Sequence, residues 1–205
     1  MLTLFIRYAV LATSCWLLVI YPLAAQPTPK VFPLHRFFQA HYDSTIIYQR
    51  GSSWNNSPNY LILAKLKDQV YFFTYASPYQ ETRGRYFPGG LVQKFSREEL
   101  AFSRAVPDTN RYFLPGRASA PALGHCWHEV VPAQLWQVQG DEHPRRTSGH
   151  CVIEDGDENT FYLIDKRAVK VTSFYAPAYY EECEGKNPNR HVALKTIAAL
   201  QALSQ

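Results

Sequence analysis

The residues best equipped for chemistry in this 205-residue chain are histidines and cysteines clustered at two places. His125-Cys126-Trp127-His128 and His150-Cys151 carry imidazole and thiol donors, with His143 between them. Such side chains bind zinc tetrahedrally. Their spacing follows no recurrent zinc pattern, and neighbours in an extended strand point to opposite faces, which separates His125 from Cys126. No metal site is expected. His128-Glu129-Val130-Val131 opens like the HExxH helix of metalloproteases, but Pro132 stands where the second histidine belongs and would break the helix. Asp155, Asp157 and Asn159 open like a calcium loop. Thr160 then replaces its glycine and Lys166 its bidentate glutamate, so an acidic turn is expected instead.

No GxSxG elbow, SxxK pair, phosphate-binding loop or dinucleotide glycine pattern occurs. No catalytic residue is assigned and no cofactor is implied. The enzymatic alternative, an envelope hydrolase, would need distant residues around His125, His128 and Glu129 to converge in a concave pocket. A small-molecule carrier would need an internal cavity lined by Phe and Tyr.

One segment has the chemistry of a ligand grip. Arg83-Gly84-Arg85-Tyr86-Phe87-Pro88-Gly89-Gly90 joins guanidinium forks, aromatic rings and glycines. Guanidinium forks hold phosphate, carboxylate or sugar in bidentate fashion, so Arg83, Arg85 and Tyr86 are the candidate ligand-binding residues. The partner they suggest is an anionic envelope component or a protein. Seven Lys or Arg between residues 83 and 117 face only Glu98, Glu99 and Asp108, whereas Glu154, Asp155, Asp157 and Glu158 form an acidic patch. The formal charge of +4 falls to +3 without Arg7, too mild to imply nucleic acid.

Residues 1–25 read as a cleavable secretory signal. Arg7 is their only charge, the run from Tyr8 is apolar, and Pro22-Leu23-Ala24-Ala25 precedes polar Gln26. Cleavage is expected after Ala25. The competing reading is a retained anchor, since the uncharged stretch of 18 residues reaches the short limit for a bilayer span. Once the leader is cut, no membrane span is expected. Residues 26–205 should then form one globular domain, long enough for its own core.

Of the four cysteines, Cys15 lies in the leader, and Cys126, Cys151 and Cys183 remain. An oxidising compartment predicts one disulfide and one leftover thiol. Cys151-Val152-Ile153 reads as the first strand of a three-strand meander, which puts the exit of the third strand about 17 Å from Cys151. That geometry favours Cys126–Cys151 over Cys151–Cys183. A disulfide closing 25 residues would stabilise by about 3 kcal/mol.

The elements that must position these residues follow from periodicity and from an aromatic bias of 14 Tyr, 12 Phe and 4 Trp, which favours strands. Leu34–Tyr42 has helical spacing, and Thr45–Tyr48 is a first strand. Tyr60–Leu66 and Val70–Tyr75 form a hairpin, apolar on nearly every position and so covered on both faces. Ser96-Arg97-Glu98-Glu99 matches a capping box and predicts a helix to about Ala105. Tyr112–Leu114 is a brief strand, and residues 115–124 are a linker or surface loop. Trp127–Val131 and Leu135–Val138 look extended. Thr160–Ile164 and Val169–Tyr175 are strands, and Val192, Ala193, Ile197, Leu200 and Leu203 give a terminal helix its apolar stripe. The expected fold class is α+β, an antiparallel, meander-rich sheet with short helices and a C-terminal helix packed on one face. The expected role is a non-catalytic, exported binding or interaction module.

Overall fold

The computed structural model describes residues 31–52, 58–79, 88–141 and 151–205. Six helices and six strands follow in the order α1 (Pro33–His41), β1 (Ser44–Gly51), β2 (Tyr60–Leu66), β3 (Gln69–Tyr75), α2 (Gly89–Arg104), β4 (Phe113–Pro115), α3 (Ala120–Val130), α4 (Pro132–Gln137), β5 (Glu158–Asp165), β6 (Val169–Tyr175), α5 (Pro177–Glu184) and α6 (Pro188–Ala202). The strands form one sheet in the order β4-β3-β2-β1-β5-β6, antiparallel at every step. The α+β class, the antiparallel sheet and the C-terminal helix packed against it are as the sequence predicts.

Strand β1 is the hinge of this arrangement. It pairs with its chain neighbour β2 on one side and with distant β5 on the other. Ile46 sits opposite Leu63 and Leu163, and Ile47 opposite Ile62 and Tyr162. The two-residue period of a strand sends Ile46 and Tyr48 to one face and Ile47 to the other. The first face joins Ile46, Leu63, Phe72, Phe161, Leu163 and Phe174 to Leu123, Cys126, Leu135, Ala193, Ile197 and Leu200 of α3, α4 and α6. The second joins Ile47, Tyr60, Ile62, Ala64, Tyr75 and Ile164 to Leu34 and Phe38 of α1. Each buried Leu, Ile or Phe side chain stabilises the fold by about 1.5–3 kcal/mol, so covering both faces explains why the central strands are apolar almost throughout.

Short polar devices set the turns. Lys67 takes a left-handed φ of 55° between β2 and β3, and its N–H donates to Asp43 Oδ2 at 2.7 Å. Asp165 Oδ1 accepts from the N–H groups of Arg167 and Ala168, each at 2.7 Å, and folds β5 back into β6. Asn187 caps α6 by accepting from the N–H groups of Asn189 and Arg190.

Three expectations are corrected. Residues 127–131 and 135–138 are largely helical rather than extended. Ser119 caps α3, and Leu123, Cys126 and Val130 recur at i, i+3 and i+7 to face the core. That period outweighs the local strand bias of Trp and Val. Ser96 lies inside α2, not at its start, because the helix begins at Gly89 behind Pro88. The presumed loop 115–124 gives its second half to α3.

The disulfide is also corrected. Cys151 bonds to Cys183, with Cα atoms 5.9 Å apart, and Cys126 is a free, buried thiol. The predicted pair Cys126–Cys151 fails because residues 151–153 are not a strand. The predicted three-strand meander is a two-strand hairpin, whose entry and exit lie at the same end. Cys151 therefore meets Cys183 on α5. Cys126 points inward from α3, with its Sγ 3.5 Å from the Ala199 carbonyl oxygen.

Candidate functional site

The C-terminal end of β1 and the first residues of β5 meet the last turns of α6 in an open cleft. Tyr48 and Arg50 lie two apart on β1, on the same face. Tyr48 Oη donates to Asn159 Oδ1 at 2.7 Å, and Asn159 Nδ2 donates to the Asp157 carbonyl oxygen at 3.2 Å. Arg50 stands opposite Asn159 in register and reaches diagonally to form an ion pair with Asp157 Oδ2. On α6, Leu194, Ile197, Ala198 and Gln201 follow at i, i+3, i+4 and i+7, a stripe that turns one helix face to the cleft.

Two cavities adjoin here. The larger, about 750 Å³, runs over the ends of β1, β2 and β3 between Gly51, Leu61, Thr74 and Ser204. The smaller, about 520 Å³, lies between α6, the start of α5 and residues 153–157. Tyr48, Arg50, Asp157 and Gln201 line both and form the ridge between them. Both volumes fall within the roughly 300–1,000 Å³ of ligand pockets.

The wall formed by residues 151–157 has no regular secondary structure but is firmly held. Tyr175 Oη donates to the Glu154 carbonyl at 2.6 Å and accepts from the Gly156 N–H at 2.9 Å. Tyr179 Oη donates to the Val152 carbonyl at 3.2 Å, and the Ala176 N–H donates to the Asp157 carbonyl at 2.8 Å. Gly156 is required there: a Cβ would come within 2.7 Å of the Ala176 Cβ. The Cys151–Cys183 bond anchors the start of the wall to α5.

Beside this wall, Arg190 fastens α6 to α5 and β6. The Arg190 residue is 6% exposed, and its guanidinium donates to Asp141 Oδ2 at 2.7 and 2.9 Å, to Glu184 Oε2 and to the Tyr180 carbonyl. Asp141 in turn extends the sheet by exchanging backbone hydrogen bonds with Ser173 and Tyr175 on β6.

Electrostatically the ridge is self-compensating. Burial pushes the Tyr48 hydroxyl up to about 12, so at neutral pH it remains a proton donor to Asn159. The hydrogen bond to Asp157 raises the Arg50 guanidinium further above its ordinary value, which keeps the guanidinium charged. Among the described residues that line the cavities there is no His, Cys or Lys. The lining side chains offer hydrogen bonds and apolar contact.

Arg83, Arg85 and Tyr86 lie outside the described residues, as does the leader with its proposed cleavage after Ala25. His125 and His128 are exposed on the outer side of α3, and His125 Nδ1 lies 3.7 Å from Glu129 Oε2 one turn on. None of the three lines either cavity. Among the described residues no group of His, Cys, Asp and Glu is placed to hold a metal ion. No helix among them is long and apolar enough to cross a membrane. The sequence reading missed Tyr48, Arg50 and Gln201. Their one sequence signal was polar residues at strand and helix ends that are otherwise apolar. Known protein families, curated protein sequences and solved structures contain no match to the chain.

Proposed function

We propose that this protein is a non-catalytic binding module, exported to the cell envelope or exterior, and that the cleft beside Arg50 and Gln201 receives its ligand. The observation that carries this reading is the pair of cavities sharing one polar ridge. Two adjoining concavities with a few convergent polar groups suit recognition of a ligand. Export rests on the pattern of the first 25 residues: one positive charge, an apolar run and small residues before Gln26. A disulfide between Cys151 and Cys183 suits an oxidising compartment.

The test combines cleavage and occupancy. Protein purified from its native cell should begin at Gln26 by mass spectrometry. The Gln201→Trp variant, which fills the ridge where the cavities meet, should lower retention of the protein by its own cell-envelope fraction about tenfold, or about 1.4 kcal/mol. Equal retention by a variant with an unchanged circular dichroism spectrum would reject the cleft as the binding site.

A further inference from the structure

The side chains on the ridge also restrict what the cleft can hold. Arg50 and Asp157 neutralise one another across it, with side chains 60% and 38% exposed. A guanidinium has five N–H donors and a carboxylate about four lone-pair sites, so each keeps hydrogen-bonding capacity beyond their mutual bond. Gln201 adds a donor and an acceptor on one carboxamide, beside both cavities. The ridge thus sets donors beside acceptors with no net charge. Asp155, the other charged group of the lining, has an interaction of its own. An anionic or cationic ligand on the ridge would meet the like-charged member of the Arg50–Asp157 pair beside its counter-charge, a repulsion that a neutral ligand does not meet. A hydroxyl, which donates and accepts at once, can bridge the pair without breaking it.

Apolar walls flank the ridge. Leu61 lies on one side, and Pro177, Tyr179 and Ala198 lie on the other. The ligand must therefore combine hydroxyls with C–H faces, and it must reach from one cavity into the next. An extended peptide fits less well. Peptides in extended form dock by adding to an unpaired sheet edge, whereas this cleft lies across the ends of strands and the edges are β4 and β6.

Resting on the assignment of this cleft as the binding site, we propose that its ligand is a neutral glycan chain, laid across the Arg50–Asp157 ridge with one sugar unit in each cavity. The test uses the complete mature protein, titrated calorimetrically with chitohexaose, maltohexaose and cellohexaose as neutral chains. Polygalacturonate, a chitosan oligomer and a neutral extended peptide serve as the anionic, cationic and peptide counterparts. At least one neutral hexasaccharide should bind, and its monosaccharide at least about tenfold more weakly, because a single unit reaches only one cavity. Arg50→Met and Asp157→Asn should each weaken that binding about tenfold or more while the circular dichroism spectrum is kept. Binding of the charged chains or the peptide alone, abolished by Gln201→Trp, would overturn the glycan assignment and leave the cleft standing. Glycan binding indifferent to all three substitutions would overturn both. No binding by any neutral chain, with the Gln201→Trp effect on envelope retention intact, would overturn the glycan assignment alone.

Discussion

The Tyr48 hydroxyl donates to Asn159 Oδ1 at 2.7 Å, joining β1 to the start of β5 beneath the cleft. Tyr48 is 3% exposed and Asn159 5%, so neither group exchanges this bond for one with bulk water. Asn159 passes the constraint on by donating to the Asp157 carbonyl, and Asp157 holds Arg50. This buried hydrogen bond therefore helps to position the ridge, together with the Ala176 N–H that also donates to the Asp157 carbonyl.

Tyr48→Phe removes the donor while keeping the ring that lies 5.4 Å from Phe161. Asn159 is left with a buried, unsatisfied oxygen, which costs about 1–3 kcal/mol. Urea unfolding should show that loss at an unchanged m-value. The double variant Tyr48→Phe/Asn159→Leu should recover part of it, since replacing both partners by apolar groups avoids the orphaned acceptor. If Tyr48→Phe is as stable as the parent, the bond does not organise the cleft.

The covalent anchor of the cleft wall is open to direct chemistry. Non-reducing digestion should yield one cross-linked peptide pair containing Cys151 and Cys183, with Cys126 free. Burial pushes the Cys126 thiol up to about 11, so it should resist iodoacetamide at pH 8 until denaturant is added. Removing the bond with Cys151→Ser and Cys183→Ser should cost about 2–4 kcal/mol in the chain-entropy account. A Cys126-containing cross-link in native protein would refute this topology.

Where the sequence carried a strong period, the fold could be read from it. The apolar run of β2 and β3 implies a central hairpin covered on both faces, and the stripe on α6 implies a helix docked on the sheet. The Leu123–Cys126–Val130 spacing was present too, but Trp127 and two valines in a short window imitate a strand, and only packing against α6 decides the matter. The disulfide followed the strand count: once residues 151–153 are not a strand, the ends of the β5–β6 hairpin meet and Cys183 is near. The cleft was not legible. Its ridge joins Arg50, Asp157 and Gln201 across more than a hundred residues of chain, and that meeting depends on β1 pairing with β5.

His35 makes stability depend on pH. Its side chain is fully buried on α1, between the rings of Phe32 at 5.2 Å and Tyr162 at 4.6 Å, and neither ring nitrogen has a hydrogen-bond partner among the described residues. Burial disfavours the charged imidazolium and lowers the group from 6.5 to about 4. The unfolded chain therefore binds this proton more readily than the folded one. The stability His35 contributes as a neutral ring is complete above about pH 6.5 and is lost as the pH falls towards 4. The difference amounts to about 3 kcal/mol. Urea midpoints measured from pH 7.5 to 4 should decline across that window. In His35→Leu, which keeps an apolar side chain against Tyr162, the decline should be smaller by that amount. Parallel pH profiles for the two proteins would show that His35 is already protonated in the folded state, against its placement between the two rings.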